Sequence, residues 1–219
     1  MFDGKKIIIR EITGNYPKCL IATYNEDIYL FNMSNIAIVE KTNSDISLKY
    51  ILAVLNSKLL SYYFVKNTAK SVRKLFPKII LNDLRKFPIK KINPVEQELF
   101  IENADKTLAL NKEFQEVNKK FSNYFSGQYK FDKLTKKLEN WSELTFAEFI
   151  TELNKGIKIT GQIPLTKKDE FDWIELFEEN KAKAQNLINE INKTDATINE
   201  MVYELYGLTD VEKEIVENS

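Results

Sequence analysis

Three spacings in this 219-residue chain could carry chemistry, and each can be weighed against what that chemistry requires. Gly156-Ile157-Lys158-Ile159-Thr160-Gly161-Gln162 spaces its glycines as a phosphate-binding loop does. Such a loop follows a strand and ends on a lysine that grips the β- and γ-phosphates. Here the preceding pattern is helical and Gln162 stands where the lysine must be. Glu179-Asn180-Lys181, with Asp169 and Asp172 upstream, has the Glu-x-Lys form of a nuclease metal site. Carboxylates that share a cation must converge on it, whereas these lie along one helical stretch and read as ordinary solvated residues. Asn93-Pro94-Val95-Glu96 begins like the Asn-Pro-Pro-aromatic motif of amino-methyltransferases, but the second proline and the aromatic are missing. No glycine-rich loop follows a strand to receive S-adenosylmethionine. The chain has no histidine, which removes a serine triad, an imidazole base and any His-ligated metal. Its one cysteine, Cys19, excludes an internal disulfide framework and fits a reducing compartment.

Charge is more informative than these motifs. The 32 basic and 32 acidic side chains cancel, yet residues 58–91 hold ten of the cations against Asp83 alone, a local net of +9. Residues 92–219 carry −9 and residues 1–57 are neutral. Lys66, Lys70, Arg73, Lys74 and Lys78 are interleaved with Asn67, Thr68 and Ser71, which can donate to phosphate oxygens. This is the pattern of a polyanion footprint, although a solvated basic face gives the same count. Tyr62, Tyr63 and Phe64 adjoin the segment and read as core packing of a helix, since Tyr62 and Phe64 fall on different faces.

The elements that must position these residues follow from periodicity. Lys5–Ile12, Lys18–Tyr24, Ile28–Phe31 and Asn35–Glu40 read as strands of an antiparallel sheet, separated by turns such as Thr13–Pro17. A helix capped by Ser47 is predicted to run to Val65–Asn67, with a loop or broken helix over Thr68–Lys78 stopped by Pro77 and a short strand at Ile79–Leu81. A second helix is predicted from Pro94 to about Phe121, with a turn at Ser126-Gly127-Gln128. Phe131–Leu138 and Leu144–Leu153 read as short helices, and Gly156–Pro164 as a loop around a small hairpin. A last helix spans Lys168–Tyr206 and ends at Gly207. Its positions Phe177, Ala184, Leu187, Ile191, Thr194, Ile198, Met201 and Leu205 approximate a heptad seam. Two such helices most simply pack antiparallel. No apolar run approaches the ~20 residues of a membrane span, and the first residues lack an apolar signal core, so a cytoplasmic protein is expected.

Three stretches carry a resemblance. Tyr50–Leu60 (YILAVLNSKLL) is similar to the Leu-Asn-Ser-Lys-Leu helix of target-recognition domains. Phe76-Pro77-Lys78-Ile79, Leu84–Ile89 and Glu96-Gln97 resemble the passage that follows it, with Lys90 where a second proline is common. Val202–Glu212 (VYELYGLTDVE) is similar to the end of many such chains, and Lys6–Gly14 to their first strand. Residues 122–168 have no counterpart. The family is the TaqI-like C-terminal specificity domain of type IIG restriction–modification enzymes, related to type I specificity subunits.

The resemblance implies an α+β fold: a small antiparallel or mixed β recognition domain over residues 1–93, then a helical region over residues 94–219 with an inserted subdomain near residues 122–168. It implies a non-catalytic C-terminal portion, or a separate specificity polypeptide, that selects the site on double-stranded DNA. The parent enzyme would methylate adenine at N6, with or without cleaving DNA. S-adenosylmethionine and Mg would be needed only in its catalytic domains, on the same or a partner chain. The expected DNA contacts are Arg10, Lys66, Lys70, Arg73, Lys74 and Lys78, with Arg73 as base reader because its fork matches guanine O6 and N7. The alternative is a protein-interaction module in which the helix over residues 168–206 forms a coiled coil, or a dimer, and the basic segment is passive.

Overall fold

The computed structural model describes residues 4–28, 34–41, 44–68 and 77–219. Lys70, Arg73, Lys74 and most of the strand predicted over Ile28–Phe31 lie outside the described residues. The fold is α+β: a small antiparallel sheet followed by a long helical region. It divides into two compact units, one formed by Met1–Leu108 with Lys193–Ser219 and the other by Ala109–Asn192.

In the first unit, β1 (Lys6–Arg10) is the centre of a three-stranded sheet, flanked antiparallel by β2 (Ala22–Asn25) and β3 (Asn35–Val39). Ile8 faces Thr23 on one side and Ala37 on the other. Ile7 and Ile9 point into the core while Arg10 is exposed, the alternation a half-buried strand requires. Lys6 is fully buried, and its ammonium donates to the carbonyls of Gly4 (2.9 Å) and Asp27 (2.5 Å). β2 starts later than the predicted Lys18–Tyr24, because Cys19 donates its N–H to Ser61 Oγ at 3.1 Å and its carbonyl accepts from Gly14. Beyond Arg10 the chain continues as a single antiparallel bridge, Ile12 against Lys78.

The helix predicted from Ser47 is two helices, α1 (Leu48–Leu55) and α2 (Lys58–Asn67). The break has a non-local cause. Lys58 N–H, which an unbroken helix would give to Val54, donates instead to Asn199 Oδ1 at 2.9 Å. Ser57 Oγ donates to the Val54 carbonyl and accepts from Leu60 N–H, capping α2. The short strand at Ile79–Leu81 is replaced by the bridge at Lys78 and one helical turn, α3 (Leu81–Leu84), where the Asp83 carboxylate accepts from Ile80 N–H at 3.4 Å.

Helix α4 (Pro94–Tyr129) opens with a reciprocal cap: Asn93 Oδ1 accepts from Glu96 N–H, and the Glu96 carboxylate accepts from Asn93 N–H. Asn93-Pro94-Val95-Glu96 is thus a helix start. The predicted turn at Ser126-Gly127-Gln128 is helical, because Phe121, Phe125 and Tyr129 recur at four-residue spacing and all bury. The helix stops at Lys130, whose φ is 55°.

The second unit surrounds an aromatic core of Phe121, Phe125, Trp141, Phe149, Trp173 and Phe177. After α5 (Lys136–Glu139), α6 (Phe146–Ile159) runs straight through Gly156, correcting the loop predicted there. A Cβ on Gly156 would lie 2.7 Å from the Phe131 ring, so this glycine permits close packing, while Gly161 (φ 74°) ends the helix. The two glycines that mimic a phosphate loop have separate structural jobs. Within this unit α4 and α7 (Lys167–Tyr206) are antiparallel: Phe121 packs near Phe177, and Tyr129, two turns on, near the earlier Trp173.

Back in the first unit, α7 ends as predicted at Gly207 (φ 69°), with Gly207 N–H on Glu204 O and Leu208 N–H on Tyr203 O. A further helix, α8 (Asp210–Glu217), follows a capping box between Thr209 and Glu212. Residues Thr209-Asp210-Val211-Glu212 carry that signature openly. No helix among the described residues is long and apolar enough to cross a membrane.

Candidate nucleic-acid interface

The basic segment is framed by two anchors. At its start, α2 ends at Asn67, and the Thr68 N–H and hydroxyl both reach the Phe64 carbonyl, at 3.1 and 2.7 Å. Phe64 itself is buried, and Tyr63 stands edge-on to Phe87 at 5.9 Å. At its end, the Pro77 carbonyl accepts from Thr13 N–H (3.0 Å) and Thr13 Oγ1 (3.2 Å), and Ile79 N–H donates to Glu11 O at 2.9 Å. The chain therefore leaves from a helix terminus and returns onto the extension of β1.

Three of the six predicted contacts fall among the described residues. Arg10 closes β1, exposed, on the face opposite Ile7 and Ile9. Lys78 sits on the same extension, and its ammonium is 3.2 Å from the Glu11 carboxylate. Lys66 lies in the last turn of α2, exposed, where a cation complements the helix dipole, with its ammonium 5.4 Å from the Tyr62 ring. Arg10 ends β1, Lys78 bridges Ile12 two residues further along the same chain extension, and Lys66 belongs to the helix that launches the segment.

Other cations of the segment serve the fold. Lys58 forms an ion pair with Glu217 of α8. Lys90 donates its ammonium to the Leu205 carbonyl at 2.6 Å, and its N–H to the Tyr206 hydroxyl. The Glu217 carboxyl is pushed upward by burial, but hydrogen bonds from Lys58 and Tyr203 outweigh this and hold it below the usual carboxylate range.

Among the described residues, the Glu-x-Lys motif does not gather into a site. Glu179 pairs with Lys183 at 2.6 Å, Lys181 donates to the Leu144 carbonyl, and Asp169 caps Thr166, so the Glu-x-Lys residues are dispersed into local roles. Burial raises the Cys19 thiol above its ordinary value, which suppresses the thiolate a nucleophile needs. Burial likewise pushes Tyr50 up to about 12, its hydroxyl donating to the Lys90 carbonyl at 2.7 Å. No group of carboxylate and sulfur ligands that could hold a metal occurs among the described residues.

Residues 1–89 match the TaqI-like C-terminal specificity domain, the class of module that selects the DNA target in restriction–modification systems. Residues 93–202 match a domain of unknown function, DUF8810. The DUF8810 match covers half of the chain, which therefore belongs to that family, with a TaqI-like specificity domain matched ahead of it. No curated protein and no solved structure matches it.

Proposed function

We propose that this chain is the target-recognition portion of a type IIG restriction–modification enzyme whose adenine-N6 methyltransferase, with or without a nuclease, resides in another domain or chain. The observation that carries this reading is the double anchoring of the basic segment: Thr68 is fixed to α2 and Pro77 to the β1 extension, so the most cationic stretch spans two rigid supports. Lys66, Lys70, Arg73, Lys74 and Lys78, together with Arg10, supply charge for phosphates, and Arg73 reads a guanine edge. S-adenosylmethionine and Mg belong to the catalytic partner. The residues of this chain that resemble their motifs are committed to helix caps and packing. The partner, not this chain, performs the chemistry.

Of the heptad-like positions of α7, Phe177, Ala184, Thr194 and Ile198 are buried within the chain, and Leu187, Ile191, Met201 and Leu205 are half-buried. Fluorescence anisotropy with duplex DNA at several salt concentrations tests the recognition reading. Affinity should fall steeply with salt, and Lys70→Ala/Arg73→Ala/Lys74→Ala should flatten that slope by about 3. Unchanged binding in the triple variant, or a chain indifferent to DNA, overturns it.

A further inference from the structure

The cations of residues 58–91 sort into two groups. Lys58, Lys78 and Lys90 are engaged by Glu217, Glu11 and the Leu205 carbonyl. Arg85 and Lys86 are exposed and form no ion pair among the described residues. They are also held in place. Upstream, Ile79 is fully buried and its N–H is bonded to Glu11. Downstream, Phe87 is buried and meets Tyr63 edge-on. Between these supports, Arg85 N–H donates to Leu81 O and Lys86 N–H to Asp83 O, closing a short rigid turn. Asp83, the one acid of the segment, turns its carboxylate onto Ile80 N–H.

The Phe87–Tyr63 contact places this turn beside the last part of α2. Lys66 stands three residues beyond Tyr63, hence on the same helix face. The Lys66 ammonium lies over the Tyr62 ring, and no carboxylate is paired with Lys66, Arg85 or Lys86 among the described residues.

We propose that Arg85 and Lys86 form a phosphodiester anchor for duplex DNA, outside the Lys66–Lys78 stretch, that sets the register in which that stretch reads bases. The inference rests on the target-recognition reading. Because the backbone that carries Arg85 and Lys86 is already ordered, binding costs only the freedom of their side chains. Phosphate contacts fix orientation without carrying sequence information, so the anchor strengthens binding to every duplex alike.

The test is the salt dependence of duplex binding by the full chain. Arg85→Ala/Lys86→Ala should flatten the slope of log K against log salt by about 2, at about 0.9 per lost phosphate contact. Affinity should fall roughly tenfold, equally for all duplexes tried. Arg85→Lys/Lys86→Arg should keep the slope, which separates charge from folding. A wild-type slope in Arg85→Ala/Lys86→Ala, while Lys70→Ala/Arg73→Ala/Lys74→Ala is weakened, overturns the anchor and leaves target recognition standing. A changed ranking among duplexes also overturns it, by making the pair base readers. A wild-type chain with no salt-sensitive DNA binding overturns the underlying reading.

Discussion

The Asn56 carboxamide holds both backbone groups of Ala22: Oδ1 accepts from Ala22 N–H and Nδ2 donates to the Ala22 carbonyl, each at 3.0 Å. A side chain from the junction of α1 and α2 thus supplies the pairing that a neighbouring strand would give to the free edge of β2. The Leu-Asn-Ser-Lys motif becomes intelligible residue by residue. Asn56 ties the helices to the sheet, Ser57 breaks and restarts the helix, and Lys58 reaches α8. Asn56→Ala should cost about 2 kcal/mol, two net hydrogen bonds at a site water can enter. The Tm should drop accordingly, and Asn56→Asp, which keeps only the acceptor, should fall between.

The C-terminal helix closes the specificity domain. Tyr16 donates its hydroxyl to the Val216 carbonyl, and Glu217 receives both Lys58 and the Tyr203 hydroxyl (2.6 Å). Because the Glu217 carboxyl is depressed in the folded chain, its contribution is complete above the ordinary carboxylate value of 4.5 and lost as pH falls through the lower folded value. The side chain is 38% exposed, so solvent screening limits the pair to under about 1 kcal/mol. Glu217→Gln should flatten the acid limb of the stability–pH curve, read by denaturant unfolding between neutral and acidic pH. Deleting residues 208–219 should lower the Tm further, since buried Val216 goes with them.

Gly156 tests a different relationship. Alanine in a helix interior is worth about 1 kcal/mol over glycine, yet a Cβ here meets the Phe131 ring at 2.7 Å, and that ring is stacked on Tyr129. Overpacking of this kind costs about 1–3 kcal/mol, so Gly156→Ala should be neutral to destabilising by about 2 kcal/mol. In a Phe131→Ala background the same change should stabilise. A double-mutant cycle by denaturant unfolding reads the sign reversal.

These cases show what was legible from sequence. The β1 alternation, the start at Pro94 and the stop at Gly207 are local signals, and the structure keeps them. The break at Ser57 depends on Asn199, and the helical Gly156 on Phe131, contacts that no spacing announces. The capping box that opens α8 was visible in Thr209–Glu212 but masked by the termination signal just before it. For the interface, residue type marked the cations. Which of them the fold had already engaged, such as Lys78 with Glu11 or Lys90 with the end of α7, required the long-range contacts.

Glu11 holds Lys78 in an ion pair beside the end of β1. Its carboxylate lies 3.2 Å from the Lys78 ammonium, close enough to compete with a phosphate for the same donors. The pair is partly solvated, so the competition is modest and screened by salt. Glu11→Gln keeps the shape, frees Lys78 and removes the negative charge that directly follows Arg10 in the chain. Duplex affinity should rise severalfold at low ionic strength, and the gain should shrink as salt is added. In a Lys78→Ala background most of the gain should vanish, because the freed donor is then missing. Anisotropy titrations of the four chains of this cycle measure the coupling directly. Equal gains with and without Lys78 would show that Glu11 acts only through long-range repulsion of DNA, and that Lys78 makes no phosphate contact.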